Sequence, residues 1–159
     1  MNTNADLIET FYTAFANGDA EGMIACYHPE IVFTDPAFGR LKGAKAKVMW
    51  KMLLSNKESQ LEVRFGGIEA DENTGKARWG ATYLFGPKKR PVINLINARF
   101  RFKDGKIIEH TDSFSLWKWS RRALGISGWF LGWSGYMRKK VQETTGNRLA
   151  QYVKKNGLS

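Results

Sequence analysis

The stretch that decides the fold covers residues 17–43 and reads NGDAEGMIACYHPEIVFTDPAFGRLKG. Within it, Gly18 ends one helical segment, and Asp19 is a residue type that caps the start of the next helix. The apolar run at residues 31–34 predicts a short strand that ends at Asp35, and the proline after it imposes a turn. A carboxylate at the end of an apolar strand is costly to desolvate, which makes Asp35 a candidate functional residue. An aspartate before a proline also caps turns through a side-chain hydrogen bond, so both roles stay open.

Short helices and loops are expected around this strand. A helix over residues 21–27 ends before a His-Pro pair, which places His28 in a surface loop. Residues 36–43 contain glycine and proline and predict a loop. Apolar residues recur at helical spacing over residues 7–15, and residues 44–55 repeat that pattern.

Four longer runs downstream predict strands. They lie at residues 61–70, 76–85, 92–103 and 106–119. The turns between them contain glycine or proline, and the Asp104-Gly105 pair is typical of a two-residue hairpin. Gly66 and Gly67 predict a bulge where the first of these strands bends. Helices followed by a meander of long strands indicate an α+β domain with a strongly curved antiparallel sheet.

The composition is that of an ordinary soluble globular protein, with 159 residues of which 43% are hydrophobic and 25% are charged. This length suits one domain with an extension. Acidic residues interrupt the N-terminal stretch early, which argues against a signal peptide. The one cysteine, Cys26, excludes an internal disulfide and fits a cytoplasmic location.

The positive charge is concentrated at the end of the chain. Residues 1–117 hold 16 Lys or Arg against 14 Asp or Glu, whereas residues 118–159 hold nine Lys or Arg against Glu143 alone. The nearly neutral body argues against a DNA-binding fold. The basic tail suits anionic lipid, RNA or an acidic partner, or serves solubility alone.

We therefore divide the chain into a domain over residues 1–119 and a basic, Trp-rich helical extension over residues 120–159 that packs on this domain or on a partner. Four of the six tryptophans lie at positions 117, 119, 129 and 133. Residues 123–137 are mostly apolar or small but fall short of the ~20 residues that span a bilayer.

Three interpretations of this tail stay open. The first has the tryptophans closing the mouth of the curved sheet, where they would shield a pocket from water, or lining a dimer interface. The second is an interfacial membrane segment over residues 117–140, because tryptophans with basic neighbours are typical of one, and it would make the protein membrane-peripheral. Nucleic acid ranks last as a partner, since the tail has no recognisable RNA-binding motif.

Three motifs carry a family resemblance. They are FYTAFANGD at residues 11–19, FTDPAFGRLKG at residues 33–43 and FRFKDGKIIEHTDSF at residues 100–114. They resemble the nuclear transport factor 2-like fold, in its SnoaL-like and ketosteroid isomerase-like branch, and the resemblance spans about residues 5–117. It implies a cone-shaped curved sheet packed on N-terminal helices, a pocket, and a homodimer.

The steroid isomerase pattern is incomplete in this chain. The general base of those enzymes is an aspartate after the first strand, and Asp35 matches it. The oxyanion-hole tyrosine falls at Phe11, since Tyr12 lies on a different helix face. The oxyanion-hole acid falls at Ala98. With both donors replaced, the resemblance argues against steroid isomerisation by that mechanism.

The SnoaL-like cyclases place acid–base groups on the last strands, and the segment EHTD resembles that pattern at His110 and Asp112. These residues are i and i+2 on a strand, so their side chains project to the same face. A polar pair among aromatic residues is the composition of a small-molecule pocket. We expect ligand contacts from Trp50, Trp79, Tyr83, Asn94 and Phe114.

Two hypotheses of function follow. Burial raises the pKa of an aspartate towards neutrality and a histidine titrates near it, which suits proton transfer. In the first hypothesis the protein is an isomerase, cyclase or dehydratase acting on a hydrophobic carbonyl compound, with Asp35 or Asp112 as base and His110 as partner acid or orienter. In the second it is a non-catalytic pocket for an apolar ligand or a dimeric accessory domain, and His110 and Asp112 form a structural polar pair.

No cofactor and no metal are expected. No Gly-rich loop has the spacing that cradles phosphate, which argues against nucleotides and flavins. The two histidines lie 82 positions apart and no cysteine cluster accompanies them, which argues against a zinc site. The expected partners are a small hydrophobic molecule and a second copy of the chain.

Overall fold

The computed structural model describes residues 3–124 and 135–157. Its helices are α1 (Thr3–Ala16), α2 (Ala20–Ala25), α3 (Ala44–Ser55), α4 (Leu116–Leu124) and α5 (Gly135–Lys155). Its strands are β1 (Tyr27–Asp35), β2 (Gly39–Lys42), β3 (Glu62–Ala70), β4 (Thr74–Phe85), β5 (Arg90–Lys103) and β6 (Lys106–Ser113). A 3-10 turn at Lys57–Ser59 connects α3 to β3.

The six described strands form one curved, unclosed sheet in the order β2-β1-β6-β5-β4-β3. Neighbours pair antiparallel except for β1 and β6, which pair in parallel. The predicted α+β fold is confirmed. The β1–β6 pair departs from a purely antiparallel sheet. The long β2–α3–β3–β4–β5 segment between these strands supplies the crossover connection that a parallel pair requires.

The two faces of the sheet differ in burial because side chains alternate along a strand. On β5, Val92, Ile96 and Phe100 point inward and are at most 3% exposed, whereas Leu95 points outward and is 73% exposed. Apolar side chains of α1 and α3 pack on the inward-pointing residues, as Phe11 does on α1. The core therefore lies between these helices and the inner face of the sheet.

Strand β1 begins earlier than predicted. Helix α2 ends at Ala25, and Tyr27, which was assigned to that helix, pairs with Ile107 of β6 and is 3% exposed. The prediction of His28 in a surface loop is wrong: its side chain is buried on β1, and its Nε2 lies 3.5 Å from Asp104 Oδ2. The proline at position 29 is tolerated because the β1–β6 pairing is irregular between Tyr27 and Val32.

Two other boundaries differ from the sequence-based expectation. The segment predicted as a loop at residues 36–43 contains β2, which pairs antiparallel with β1. The last predicted strand ends at Ser113, not at residue 119, and α4 begins at Leu116. Ser115 caps this helix, because its Oγ accepts a hydrogen bond from the backbone nitrogen of Lys118 at 3.3 Å.

The predicted hairpin and bulge are confirmed. Asp104 and Gly105 have φ values of 54° and 73°, which is the left-handed pair that a tight two-residue hairpin requires. The β3–β4 register shifts between Gly66 and Glu69, and Gly67 has a φ of 61°.

Helix α5 packs on α3 and places Leu149, which is 5% exposed, in the core. Residues 125–134, which include Trp129 and Trp133, lie outside the described residues, and so does that part of the predicted lid or membrane segment. Among the helices that the structure describes, none is long and apolar enough to cross a membrane.

Candidate functional site

A cavity of about 380 Å³ lies between the inner face of the sheet and the helices. Helices α1, α3, α4 and α5 and strands β1, β4, β5 and β6 all contribute to its wall, which is mostly aromatic and aliphatic. Of the residues predicted from sequence, the cavity is lined by Asp35, Trp50, Trp79, Tyr83, Asn94, Asp112 and Phe114. His110 is not among the lining residues.

Larger concavities of about 570 and 750 Å³ lie along the exposed strands. Their walls include outward-pointing side chains such as Arg78, Leu95 and Arg101. The smaller cavity has the apolar wall with a few polar groups that small-molecule sites have, so it is the candidate functional site.

Asp35 caps the turn after β1 and also lines the cavity. Its Oδ1 accepts hydrogen bonds from the backbone nitrogens of Ala37 at 3.0 Å and Phe38 at 2.5 Å, which closes the turn after β1. Both bonds go to Oδ1, so the turn does not use Oδ2. Burial raises the pKa of Asp35 to about 7, helped by the charge of Asp112 and opposed by the two turn hydrogen bonds.

Asp112 has two hydrogen-bond partners, one on its own strand β6 and one on β4, beyond β5. His110 Nε2 lies 2.9 Å from Asp112 Oδ1, and Trp79 Nε1 donates to the same oxygen at 3.3 Å. Both partners approach Oδ1, as with Asp35. The carboxyl group of Asp112 is therefore fixed in orientation while it lines the cavity.

His110 belongs to a buried chain of hydrogen bonds. Its Nδ1 lies 2.7 Å from the hydroxyl oxygen of Tyr27, which accepts a hydrogen bond from Trp50 Nε1 at 2.9 Å. One assignment of protons uses every donor and acceptor: His110 donates from Nε2 to Asp112, and Tyr27 donates to His110 Nδ1. The chain runs from Trp50 through Tyr27 and His110 to Asp112.

The histidine ring itself is enclosed. It is 0% exposed and packs against Phe100, Phe33 and Phe11 at centroid distances of 4.5, 5.1 and 5.4 Å. His110 therefore contacts Asp112 but does not face the cavity. Of the two sequence-based roles for this residue, orienting Asp112 fits this position, and direct proton exchange with a ligand does not.

A third polar group that lines the cavity is the hydroxyl of Tyr83 on β4. Trp119 Nε1 of α4 donates a hydrogen bond to the hydroxyl oxygen of Tyr83 at 2.5 Å. The Tyr83 proton is then free to donate into the cavity. Burial raises the pKa of Tyr83, and the charge of Asp35 adds to the rise, while the Trp119 hydrogen bond lowers it.

The positions that match the steroid isomerase oxyanion hole are apolar core. Phe11 is 0% exposed and Ala98 is 1% exposed. Tyr12 is also fully buried, and among the described residues its hydroxyl group has no hydrogen-bond partner. Tyr12 does not line the cavity.

Sequence reasoning missed Tyr27, Thr145 and Arg148. Tyr27 was assigned to a helix end, although the inward spacing of Tyr27, Ile31 and Phe33 resembles a strand interrupted by an irregular step. Thr145 and Arg148 line the cavity from α5. Their spacing of three residues, next to the buried Leu149, is the signal that could have placed them on one helix face.

Within residues 3–124 and 135–157, no three His, Cys, Asp or Glu residues lie together in a way that could hold an ion.

Solved structures resemble this chain in fold. An NTF2-like protein of unknown function from Burkholderia pseudomallei has a TM-score of 0.65 at 16% identity, covering 77% of this chain and 98% of that chain. An LEH-like epoxide hydrolase from M. tuberculosis has a TM-score of 0.64 at 20% identity, covering 77% and 90%. A proposed polyketide cyclase from Pseudomonas putida has a TM-score of 0.63 at 19% identity, covering 77% and 98%. No curated protein sequence matches the chain.

The SnoaL-like domain matches residues 8–110, which is more than half of the chain. This range contains β1 with Asp35, helix α3 with Trp50, strand β4 with Trp79 and Tyr83, and most of β6. Together with the six-stranded curved sheet, this match shows that the chain belongs to the SnoaL-like domain family.

Proposed function

We propose that the cavity binds a small hydrophobic carbonyl compound and that Asp35 and Asp112 catalyse cofactor-free proton transfer on it. The observation that carries this proposal is that two carboxyl groups in different hydrogen-bonding environments line one largely apolar cavity. Pairs of titratable groups whose environments differ in this way divide acid and base roles between them.

In this mechanism Asp112 is the base. His110 and Trp79 hold its Oδ1, so Oδ2 takes the proton from the carbon next to the substrate carbonyl. The electron pair of that C–H bond forms a C=C bond, and the carbonyl π pair moves to oxygen. Asp35 protonates that oxygen, because its pKa of about 7 keeps it largely protonated in mildly acidic solution. Tyr83 donates a hydrogen bond to the same oxygen.

The enol formed in this step has several fates. Return of the proton at another carbon gives an isomerase, attack of the enol carbon on a second carbonyl gives a cyclase, and loss of a β-hydroxyl group as water gives a dehydratase. The SnoaL-like family membership and the fold similarity to proposed polyketide cyclases support a carbonyl substrate. All three outcomes use the same first proton transfer, so one assay tests them together.

Solvent deuterium exchange tests this function. Hydrophobic ketones such as 2-acetylnaphthalene are incubated with the protein in deuterium oxide, and incorporation beside the carbonyl is followed by NMR. We expect the protein to accelerate incorporation about 100-fold or more, the usual contribution of a positioned acid–base pair. Asp112→Asn removes the base and is expected to return the rate to that of buffer. The control is Asp6→Asn, an exposed residue of α1 that does not line the cavity.

The pH dependence of the incorporation rate tests whether Asp35 is the acid. Because Asp35 must carry a proton, the rate falls as the pH rises through about 7. Asp35→Asn is expected to lower the rate and to remove this transition. A rate that rises through the same pH would reverse the two roles.

A non-catalytic binding domain is the second candidate. It is favoured by the apolar Phe11 and Ala98 at the oxyanion-hole positions. The same experiment separates the two, since ketones that bind without deuterium incorporation above the Asp112→Asn level identify a binding domain.

A further inference from the structure

Helix α5 is attached to the turn that carries Asp35. Gln142 Nε2 donates to the backbone oxygen of Pro36 at 3.2 Å, and Thr145 Oγ1 donates to that of Ala37 at 2.7 Å. Leu149, one turn further, is buried in the core. The face of α5 that bears these residues is therefore held against the body of the protein at the cavity wall.

This attachment brings one cation to the cavity. Arg148 lies three residues after Thr145 and lines the cavity with it. Among the described residues of the lining, Arg148 is the only Lys or Arg. Its guanidinium has no carboxylate partner within residues 3–124 and 135–157.

Each of the two acidic groups of the cavity has hydrogen-bond partners at its Oδ1. Asp35 accepts the turn hydrogen bonds, and Asp112 accepts from His110 and Trp79. The Arg148 side chain is exposed to solvent and also lines the cavity, so it is accessible to an incoming anion. A guanidinium presents paired N–H donors that match the two oxygens of a carboxylate.

We propose that Arg148 binds a carboxylate of the ligand, which makes the substrate class an apolar keto acid. The carboxylate lies against Arg148, the hydrocarbon body against the aromatic wall, and the carbonyl against Asp35 and Asp112. This orientation is favoured over the reverse one, in which the carboxylate of the ligand would lie beside the carboxylate of Asp112 and the two like charges would repel each other. This assignment rests on the proposed function for the carbonyl end, while the Arg148 contact stands on the geometry of α5.

Two ligands that differ only in the carboxylate test the proposal. They are 6-acetyl-2-naphthoate and 2-acetylnaphthalene, whose dissociation constants are measured by quenching of tryptophan fluorescence and by calorimetry. We expect the acid to bind about tenfold more tightly, the effect of one partly exposed charge-assisted pair. The preference decreases as salt is added, since the contact is electrostatic.

Three variants test whether the preference for the acid depends on Arg148. Arg148→Gln is expected to abolish it, and Arg148→Lys to retain part of it, because lysine keeps the charge but not the planar pair of donors. Arg138→Gln is the matched control, since Arg138 is an exposed arginine of the same helix that does not line the cavity. Thermal unfolding of each variant verifies that it is folded.

The outcomes separate this proposal from the catalytic one. Equal binding of the two ligands by the wild type, or a preference that survives Arg148→Gln, overturns the role of Arg148. In another outcome, Arg148→Gln loses the preference for the acid and neither ligand incorporates deuterium. This result upholds the role of Arg148 and rejects proton transfer. Deuterium incorporation into the neutral ketone, without tighter binding of the acid, upholds proton transfer and rejects the role of Arg148.

Discussion

At the level of single residues, the buried carboxyl group of Asp35 makes the stability of the fold depend on pH. Burial, with the charge of Asp112, raises its pKa from 3.8 to about 7 against the two turn hydrogen bonds. In the unfolded chain the carboxyl group has its ordinary pKa. Between the two values the folded state holds a proton that the unfolded state has released. The contribution of Asp35 to stability is therefore lost as the pH rises from about 4 to about 7.

Asp35→Asn tests this linkage without a substrate. Asparagine keeps the Oδ1 acceptor for the turn but does not titrate, so the variant should lose the decline in unfolding free energy over this range. For the wild type the decline is at most about 4 kcal/mol, the value of a shift of about three pKa units. Urea unfolding at a series of pH values between about 4 and 8 measures it.

Asp71 provides the control for this experiment. Its Oδ1 accepts hydrogen bonds from the backbone nitrogens of Asn73 and Thr74, in a turn of the same kind at the surface. There the hydrogen bond from Thr74, followed by that from Asn73, lowers the pKa. Asp71→Asn should therefore leave the decline unchanged. Parallel slopes for the wild type and Asp35→Asn would contradict the burial of the Asp35 charge.

The hydroxyl groups of two buried tyrosines differ in their hydrogen-bond partners. We therefore expect replacement of each tyrosine by phenylalanine to change the unfolding free energy in opposite directions. The hydroxyl of Tyr12 has no partner among the described residues, whereas that of Tyr27 contacts both His110 and Trp50. Tyr12→Phe should raise the unfolding free energy by about 1 kcal/mol, because it removes an unsatisfied buried group. Tyr27→Phe should lower it by about 2 kcal/mol, because it leaves two polar atoms without a partner. Denaturant unfolding of the pair gives both values, and a loss of stability in Tyr12→Phe would show that its hydroxyl is bound.

The acidic residues of the site could be predicted from the sequence, and their connections could not. Asp35 follows an apolar strand, and the i, i+2 spacing of His110 and Asp112 places both on one face. The role of Tyr27 depends on a hydrogen bond across 83 positions, for which no local pattern exists. The distinction between Asp112 in the cavity wall and His110 behind it arises from the aromatic rings that enclose the histidine.

At the level of elements, the predictions succeeded where the hydrophobic period was long and uninterrupted. Helix α3 matches residues 44–55, and the bounds of β3 to β5 lie within about two residues of the predicted ones. The errors occur at β1 and β2, where the pairing partner determines how far the strand extends or whether it forms. Strand β1 extends back to Tyr27 because β6 is available to pair with it, and β2 exists because β1 turns back at Asp35.

Helix α5 shows a different limit of sequence reasoning. The sequence predicts a helical extension over residues 120–159. The position of α5 against the Asp35 turn depends on the side chains of Gln142 and Thr145, which reach backbone oxygens more than 100 residues away. Such contacts have no signature in either segment. The cavity wall that α5 completes was therefore invisible in the sequence, and so was the place of Arg148.

At the level of the whole molecule, the outer face of the sheet carries an apolar strip. Ile93 and Leu95 of β5 are 54% and 73% exposed. Their register partners on β4, Thr82 and Gly80, are small and leave the strip flat. Charged residues of both signs surround it along the neighbouring strands, as Arg78 and Glu62 do. A surface of this kind suits pairing with a second copy about a two-fold axis, where each positive group meets a negative one.

We therefore propose that this face forms the homodimer expected from the family resemblance, and Leu95→Lys tests it. Two lysines at the centre of a two-fold interface would repel each other and lose the apolar contact, so the variant should be monomeric. Light scattering after gel filtration should give twice the 18.1 kDa chain mass for the wild type and the single mass for Leu95→Lys. Leu53→Lys is the control, because Leu53 is a large hydrophobic residue that is 36% exposed on α3, away from this face. A wild type that elutes as a monomer, or a Leu95→Lys variant that remains dimeric, would contradict an interface centred on Leu95.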